Sequence, residues 1–280
     1  MNAVPQPSTR RLFTGRPPGE PGLALFLNAG DPPLDVLRDV VTTLDEAGVD
    51  CLELAVPFPD SFTDGPVIRR SARRALDHGV GLTETLDFVD DVRPNLRRLR
   101  ITLLADWSHT VRPVTLPGFL DRVAASGADA LLLHGLPPAQ RQRYHESALD
   151  LGLPIVTTCY ASSDEAVMAD SARNATGYLY LVAHYGRSGT APRGDHTSVA
   201  PAIARLHDLT GAPIAVGFGV TGRADVRALH GAGADAVVIG SAAVARVERA
   251  MTDRRDVAAT LLAFVDEIRP IRETQQERGA

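Results

Sequence analysis

Short aliphatic runs recur along the whole of this 280-residue chain, and successive runs are separated by segments long enough for one helix each. They are LALFL (23 to 27), CLELAV (51 to 56), ITLLA (101 to 105), ALLLH (130 to 134), PIVTT (154 to 158), YLYLVA (178 to 183), PIAVGF (213 to 218) and AVVIG (236 to 240). Between them lie amphipathic stretches such as LDVLRDVVTTLDEAG, GFLDRVAASG and ADVRALHGAG. Three junctions echo one another: EAGVDCLEL, ASGADALLL and GAGADAVVI. In each, a glycine (Gly48, Gly127, Gly233) can close a helix in the left-handed conformation, an Asp follows two residues later, and a strand begins. Strict alternation of helix with near-continuous aliphatic strands implies a parallel sheet buried on both faces. About eight such units in roughly 250 residues predict a single-domain (β/α)8 barrel over residues 22–269. A doubly wound open sheet would carry a phosphate loop after its first strand, where this chain has NAGDPP instead. Residues 1–21, rich in Pro, Gly and Arg, read as a flexible lead-in, and residues 270–280 as a fraying tail.

Composition removes several function classes. With 29 basic against 34 acidic residues and a net charge of -5, the chain has no electrostatic footprint for nucleic acid. No apolar stretch reaches the roughly 18 residues of a membrane span, and the amino terminus lacks an apolar signal region, so a cytoplasmic protein is expected. Cys51 and Cys159 form neither a disulfide framework nor a CxxC pair. Every basic residue is Arg. Without lysine, Schiff-base catalysis and attachment of pyridoxal phosphate are both excluded, and no cofactor is expected.

A barrel enzyme builds its site at the carboxyl ends of its strands. In CLELAV the period of two sets Leu52, Leu54 and Val56 on one face and Cys51, Glu53 and Ala55 on the other. If the aliphatic face packs on helices, Glu53 points into the barrel. Burial there raises its proton affinity and suits it to proton transfer; a carboxylate that merely pairs with an interior Arg or hydroxyl is the alternative. The loop PFPDSFTDGP (57 to 66) follows, with Asp60 and Asp64. Asp64 sits near the start of the next helix, VIRRSARRALDHG, where it serves either chemistry or simple turn and cap formation. The RRSARR run reads as a solvated helix face. Trp107 and Phe62 are candidates for lining the site or for core and interface.

LELAVPFPDSFTDGPVIRRSARRALDHGV, preceded by FLNAGDP (26 to 32), resembles the signature region of the tryptophan synthase α subunit family, commonly worded LELGVPFSDPxADGPVIQ. The resemblance runs from about Leu23 to Arg269. It implies a (β/α)8 barrel that cleaves indole-3-glycerol phosphate to indole and glyceraldehyde 3-phosphate. Glu53 would be the catalytic Glu and Asp64 the catalytic Asp. Retro-aldol cleavage needs a proton at indole C3, loss of the side-chain hydroxyl proton and support for the charge growing at the ring N–H. A buried Glu and a less buried Asp suit those tasks, with neither lysine nor metal.

Gly219, in GFGV after the seventh run, and Gly240 and Ser241, in IGSAAV after the eighth, match the family's loops and the usual phosphate position of barrel enzymes. The sixth loop, HYGRSGTAPRGDH (184 to 196), resembles the family's mobile flap, with Ser188 where the family has Thr, Gly189 beside it, and Arg187 and Arg193 as further phosphate candidates. Phe26, Asp106, His134, Tyr180, His184 and Phe218 are the expected substrate contacts.

The chain also departs from the family. ADWSHTVRPVTLPG (105 to 118) replaces the MYANxxxxxG segment, which carries a Tyr near the substrate and much of the β-subunit docking surface; Asp106 stands in that Tyr's place. Asp-x-Pro after the fourth run becomes Gly135-Leu136-Pro137, and the helix that plugs the barrel floor is hard to find in the Pro-rich first 20 residues. A β-type partner remains conceivable, but the lost docking segment points to an enzyme acting alone. Two rivals stand beside the lyase. Asp106, His109, His134 and His184 could converge on a divalent metal for a metal-dependent aldolase, or the chain could be a silent subunit that regulates a β-type partner.

Overall fold

The structure is a computed structural model that describes residues 12–13, 20–183, 199–217 and 219–269. Its strands are β1 (Gly22–Asn28), β2 (Cys51–Ala55), β3 (Arg100–Asp106), β4 (Ala130–His134), β5 (Ile155–Tyr160), β6 (Tyr178–Val182), β7 (Ile214–Gly217) and β8 (Ala236–Ile239). All neighbours are parallel, and β1 pairs with β8, which closes the barrel. The helices are α1 (Leu34–Glu46), α2 (Pro66–Asp77), α3 (Leu82–Val92), α4 (Leu116–Ala125), α5 (Pro138–Asp150), α6 (Glu165–Asn174), α7 (Ala200–Leu209), α8 (Arg223–Gly231), α9 (Ser241–Thr252) and α10 (Val257–Ile268). The predicted (β/α)8 barrel is therefore the observed one, with each strand lying on its aliphatic run. None of the described helices is long and apolar enough to cross a membrane.

The Gly-x-Asp echo has a structural cause. Gly48, Gly127 and Gly233 have φ of 69°, 76° and 100°, a region where a Cβ would be strained. The Asp that follows staples the previous strand. Asp50 accepts the Leu23 N–H at 2.7 Å, Asp129 the Ile101 N–H at 2.9 Å and Asp235 the Ile214 N–H at 2.7 Å. Before β6, Thr176 Oγ1 does the same for the Ile155 N–H at 2.8 Å. Each even-numbered strand thus enters the barrel by satisfying an amide at the amino end of its odd-numbered neighbour. This is the floor of the barrel, where such residues serve stability.

Most of the apolar surface is buried between strands and helices, as at Leu25, Leu27, Leu52, Leu54, Val216 and Val237, which are fully covered. The interior is different. Inward positions Ala24, Cys51, Ala130, Ala215 and Ala236 are small, and Tyr178 from β6 and Leu12 from below fill the space they leave. Of the first 21 residues, read as a flexible lead-in, the structure describes Leu12, Phe13, Glu20 and Pro21. Leu12 is buried, and the Phe13 ring meets Tyr178 edge-on with centroids 5.2 Å apart at 74°. Leu12 and Phe13 plug the floor that the sequence seemed to leave open. Gly22 is required there, since a Cβ would lie 2.6 Å from Phe13 Cδ1.

Candidate active site

Glu53 is the third residue of β2, in register with Phe26 of β1 and Thr102 of β3. Strand periodicity turns it into the barrel, where 2% of it is exposed. The small residues below give Tyr178 room to reach across from β6, and its hydroxyl donates to Glu53 Oε1 at 2.5 Å. Burial raises the Glu53 carboxyl from 4.5 to about 7, and the Tyr178 hydrogen bond opposes the rise. A group half protonated near neutrality can both give and take a proton. The Cys51 thiol below it, pushed up by burial and then by the Glu53 charge, is 3.3 Å from Thr102 Oγ1 and stays protonated.

Above Glu53 a cavity of about 630 Å³ opens at the carboxyl end of the barrel. Glu53, Phe26, Leu104, Leu132, Tyr180 and Val238 line its depth, and Asp64 stands in its wall from the loop that follows β2. Gly65 and Pro66 begin α2 directly after Asp64, so the helix start fixes where the loop ends. Tyr180 connects the two acids electrostatically. Its hydroxyl is raised well above the ordinary phenol value by burial, then by the charge of Glu53, then by that of Asp64. Glu53, Asp64 and Tyr180 all line the same cavity.

Gly219, Gly240 and Ser241 line another part of the cavity. Gly219 has φ of 83°, and Ser241 is the first residue of α9, whose start has no side-chain cap among the described residues. The start of α8, by contrast, is taken: Asp225 Oδ2 accepts the Thr221 N–H at 2.7 Å and the Gly222 N–H at 3.2 Å. The start of α9, where Gly240, Ser241 and Ala242 line the cavity, can thus offer its amide groups and positive end to an anion.

Placement of the other candidates is uneven. Phe26, His134 and Tyr180 line the cavity, His134 with its side chain exposed at the end of β4. Asp106 is not among the residues that line the cavity, and its carboxylate accepts hydrogen bonds from His109. His184, Arg187, Ser188, Gly189, Arg193 and Phe218 lie outside the described residues. Trp107 and Phe62 are absent from the lining; Trp107 packs on the core and Phe62 is 88% exposed. Among the described residues, no group of three His, Cys, Asp or Glu side chains could hold a metal; His184, one of the donors proposed for a metal-dependent aldolase, lies outside them.

The solvated-face reading of RRSARR holds for Arg69, Arg70 and Arg73, which are exposed, and fails for Arg74. Arg74 makes a two-pronged pair with the buried Asp31 at 2.8 Å and contacts Glu248 at 2.7 Å, and Arg70 makes a second two-pronged pair with Glu248 at 2.8 Å. This network ties α2 to the turn after β1 and to α9. Sequence reasoning overlooked Tyr178, Phe58, Thr158 and Tyr160. Tyr178 was accessible, since it shares the inward face of YLYLV with Tyr180.

A closed barrel with a buried acid of raised proton affinity beneath an open cavity is the arrangement of a barrel enzyme suited to proton transfer. The comparisons with known proteins narrow the class. The family model described as tryptophan synthase alpha chain matches residues 14–272. The tryptophan synthase alpha chain of Synechococcus elongatus is 35% identical over 233 residues, 83% of this chain and 86% of the relative. That of Aromatoleum aromaticum is 33% identical over 269 residues, 96% of each. Among solved structures, the Pyrococcus furiosus tryptophan synthase alpha-subunit superposes with a TM-score of 0.78 at 28% identity, covering 89% of this chain and 98% of that one. A chain of Mycobacterium tuberculosis tryptophan synthase gives 0.75 at 26% identity, covering 88% and 93%. The chain belongs to the tryptophan synthase alpha chain family.

Proposed function

We propose that this chain cleaves indole-3-glycerol phosphate, or a close analogue, to indole and glyceraldehyde 3-phosphate, with Glu53 as proton shuttle, Asp64 as acceptor of the ring N–H and the turns at Gly219, Gly240 and Ser241 as phosphate cradle. The observation that carries it is the Glu53 carboxyl, buried in the barrel, raised to about 7 and opening onto the cavity that Asp64 also lines. In its acid form Glu53 delivers a proton to indole C3, leaving positive charge on the ring nitrogen. Asp64 accepts the N–H hydrogen bond, which strengthens as that charge grows. The hydroxyl on the adjoining side-chain carbon then returns a proton to Glu53. The bond from that carbon to C3 breaks, and its electron pair neutralises the ring, so indole and aldehyde separate with Glu53 ready again.

Phe26 and Tyr180 flank the ring in this scheme, with His134 at the cavity rim. Ser188 and Gly189 of the sixth loop, with His184 and Phe218, complete the family's expected set. Two further points belong to the same proposal: action without a bound β-type subunit, because segment 105–118 departs from the family's docking sequence, and a cytoplasmic location. Purified chain incubated with indole-3-glycerol phosphate should release indole in the presence of a chelator and without any partner. Glu53→Gln should lower turnover by at least about a hundredfold. No indole from the wild-type chain, or undiminished turnover in the variant, defeats the proposal.

A further inference from the structure

The reaction above gives Asp106 and His109 no work, yet the chain places them with care. After β3 the backbone makes one π-helical turn, Trp107–Val111, that brings residue 109 back over residue 106. Asp106 Oδ1 accepts the His109 backbone N–H at 2.9 Å and the His109 Nδ1–H at 2.8 Å. The acceptor is buried, so the imidazole is fixed in both tautomer and orientation. Its ring lies nearly parallel to that of Phe58, with centroids 5.4 Å apart and planes 22° from each other.

Phe58 belongs to the loop that carries Asp64, and both side chains line the cavity. Residues 56–65 have no regular structure. The loop is anchored at its start by the Val56 N–H bond to the Leu104 carbonyl at 2.8 Å and at its end by Gly65 at the head of α2. Between those points the Phe58–His109 stack ties it to the segment after β3.

We propose that His109, oriented by Asp106, is a positioning residue for the β2 loop: it holds Phe58 as cavity wall and, through the loop, sets Asp64 against the substrate. The proposal rests on Asp64 acting on the substrate as described above. A loop released from the stack samples other conformers and misplaces a hydrogen bond that matters most in the transition state, so the loss should appear in kcat rather than KM. His109→Ala should lower kcat about 3- to 10-fold, the fold-change matching one aromatic stack, with KM changed less than about twofold. His109→Phe keeps the stack and should recover most of the loss. In an Asp64→Asn background, itself expected to be at least about tenfold impaired, His109→Ala should cost less than about twofold more, because both changes act on one hydrogen bond. Independent, multiplying losses in the double variant overturn the positioning role, as does His109→Phe behaving like His109→Ala. Wild-type kcat in Asp64→Asn alone overturns the role of Asp64 itself, and this proposal with it.

Discussion

Glu53→Gln separates stability from activity in a way the structure allows to be worked out. Gln keeps the shape and the oxygen that accepts from Tyr178 but does not titrate. In the wild type, the folded carboxyl holds its proton up to about pH 7, whereas the unfolded one releases it near 4.5. Folding must therefore take up a proton between those values. The stabilisation from the protonated form is fully present below pH 4.5 and is lost as pH rises through about 7. At about 1.36 kcal/mol per pH unit, a rise from 4.5 to about 7 amounts to about 3 kcal/mol. Other groups titrate alike in both proteins, so the difference between variant and wild type isolates this one. Urea unfolding followed by the single tryptophan should show the variant gaining about 3 kcal/mol on the wild type from pH 4.5 to 7 and nothing further above. The catalytically impaired protein should then be the more stable one at pH 8. A difference that stays flat within about 0.5 kcal/mol across that range would mean that Glu53 is solvated or ionised in the fold, and the mechanism would lose its acid.

Removing one strand staple by Asp50→Ala strands the buried Leu23 amide and should cost about 1–3 kcal/mol in urea unfolding while kcat stays unchanged, since the staple lies on the floor. Gly217→Ala puts a methyl group into the Tyr180 hydroxyl; overpacking of this kind costs about 1–3 kcal/mol, and kcat/KM should fall with it, with Tyr180→Phe in the same chain easing the defect. Glu248 is held at about 2 by the Arg70 and then the Arg74 hydrogen bonds, so its contribution is complete above pH 4.5 and disappears as pH falls towards 2. With a quarter of that side chain in water, Glu248→Gln should lower stability by about 1 kcal/mol at pH 7 and by nothing near pH 2, measured as the gap between the two unfolding curves.

Local chemistry explains why so much was legible early. A strand buried on both faces must be aliphatic along its length, and a helix that ends in a left-handed residue must end in something like Gly48 or Gly127. Period two in CLELAV was enough to aim Glu53 inward. One limit on what was legible is a partner far away in sequence. Arg74 looked solvated because Asp31 and Glu248 lie 43 and 174 positions from it. A second limit is local: nothing announces that a widened turn will fold His109 onto Asp106. Leu12 and Phe13, which pack at the floor, escaped notice because they lie in a Pro-rich stretch without helical or strand periodicity.

By itself, then, the sequence determined the repeating unit, the number of strands, which face of each strand carries its bulk and which acid turns inward, since all of these follow from spacing and from covalent neighbours. Only the closed barrel decided what that acid meets. Tyr178 reaches Glu53 from 125 positions away because the cylinder brings β2 and β6 across from each other over a layer of small side chains. The proton affinity of Glu53 comes from exclusion of water by the whole wall, a property that no segment of the chain has until every strand is in place.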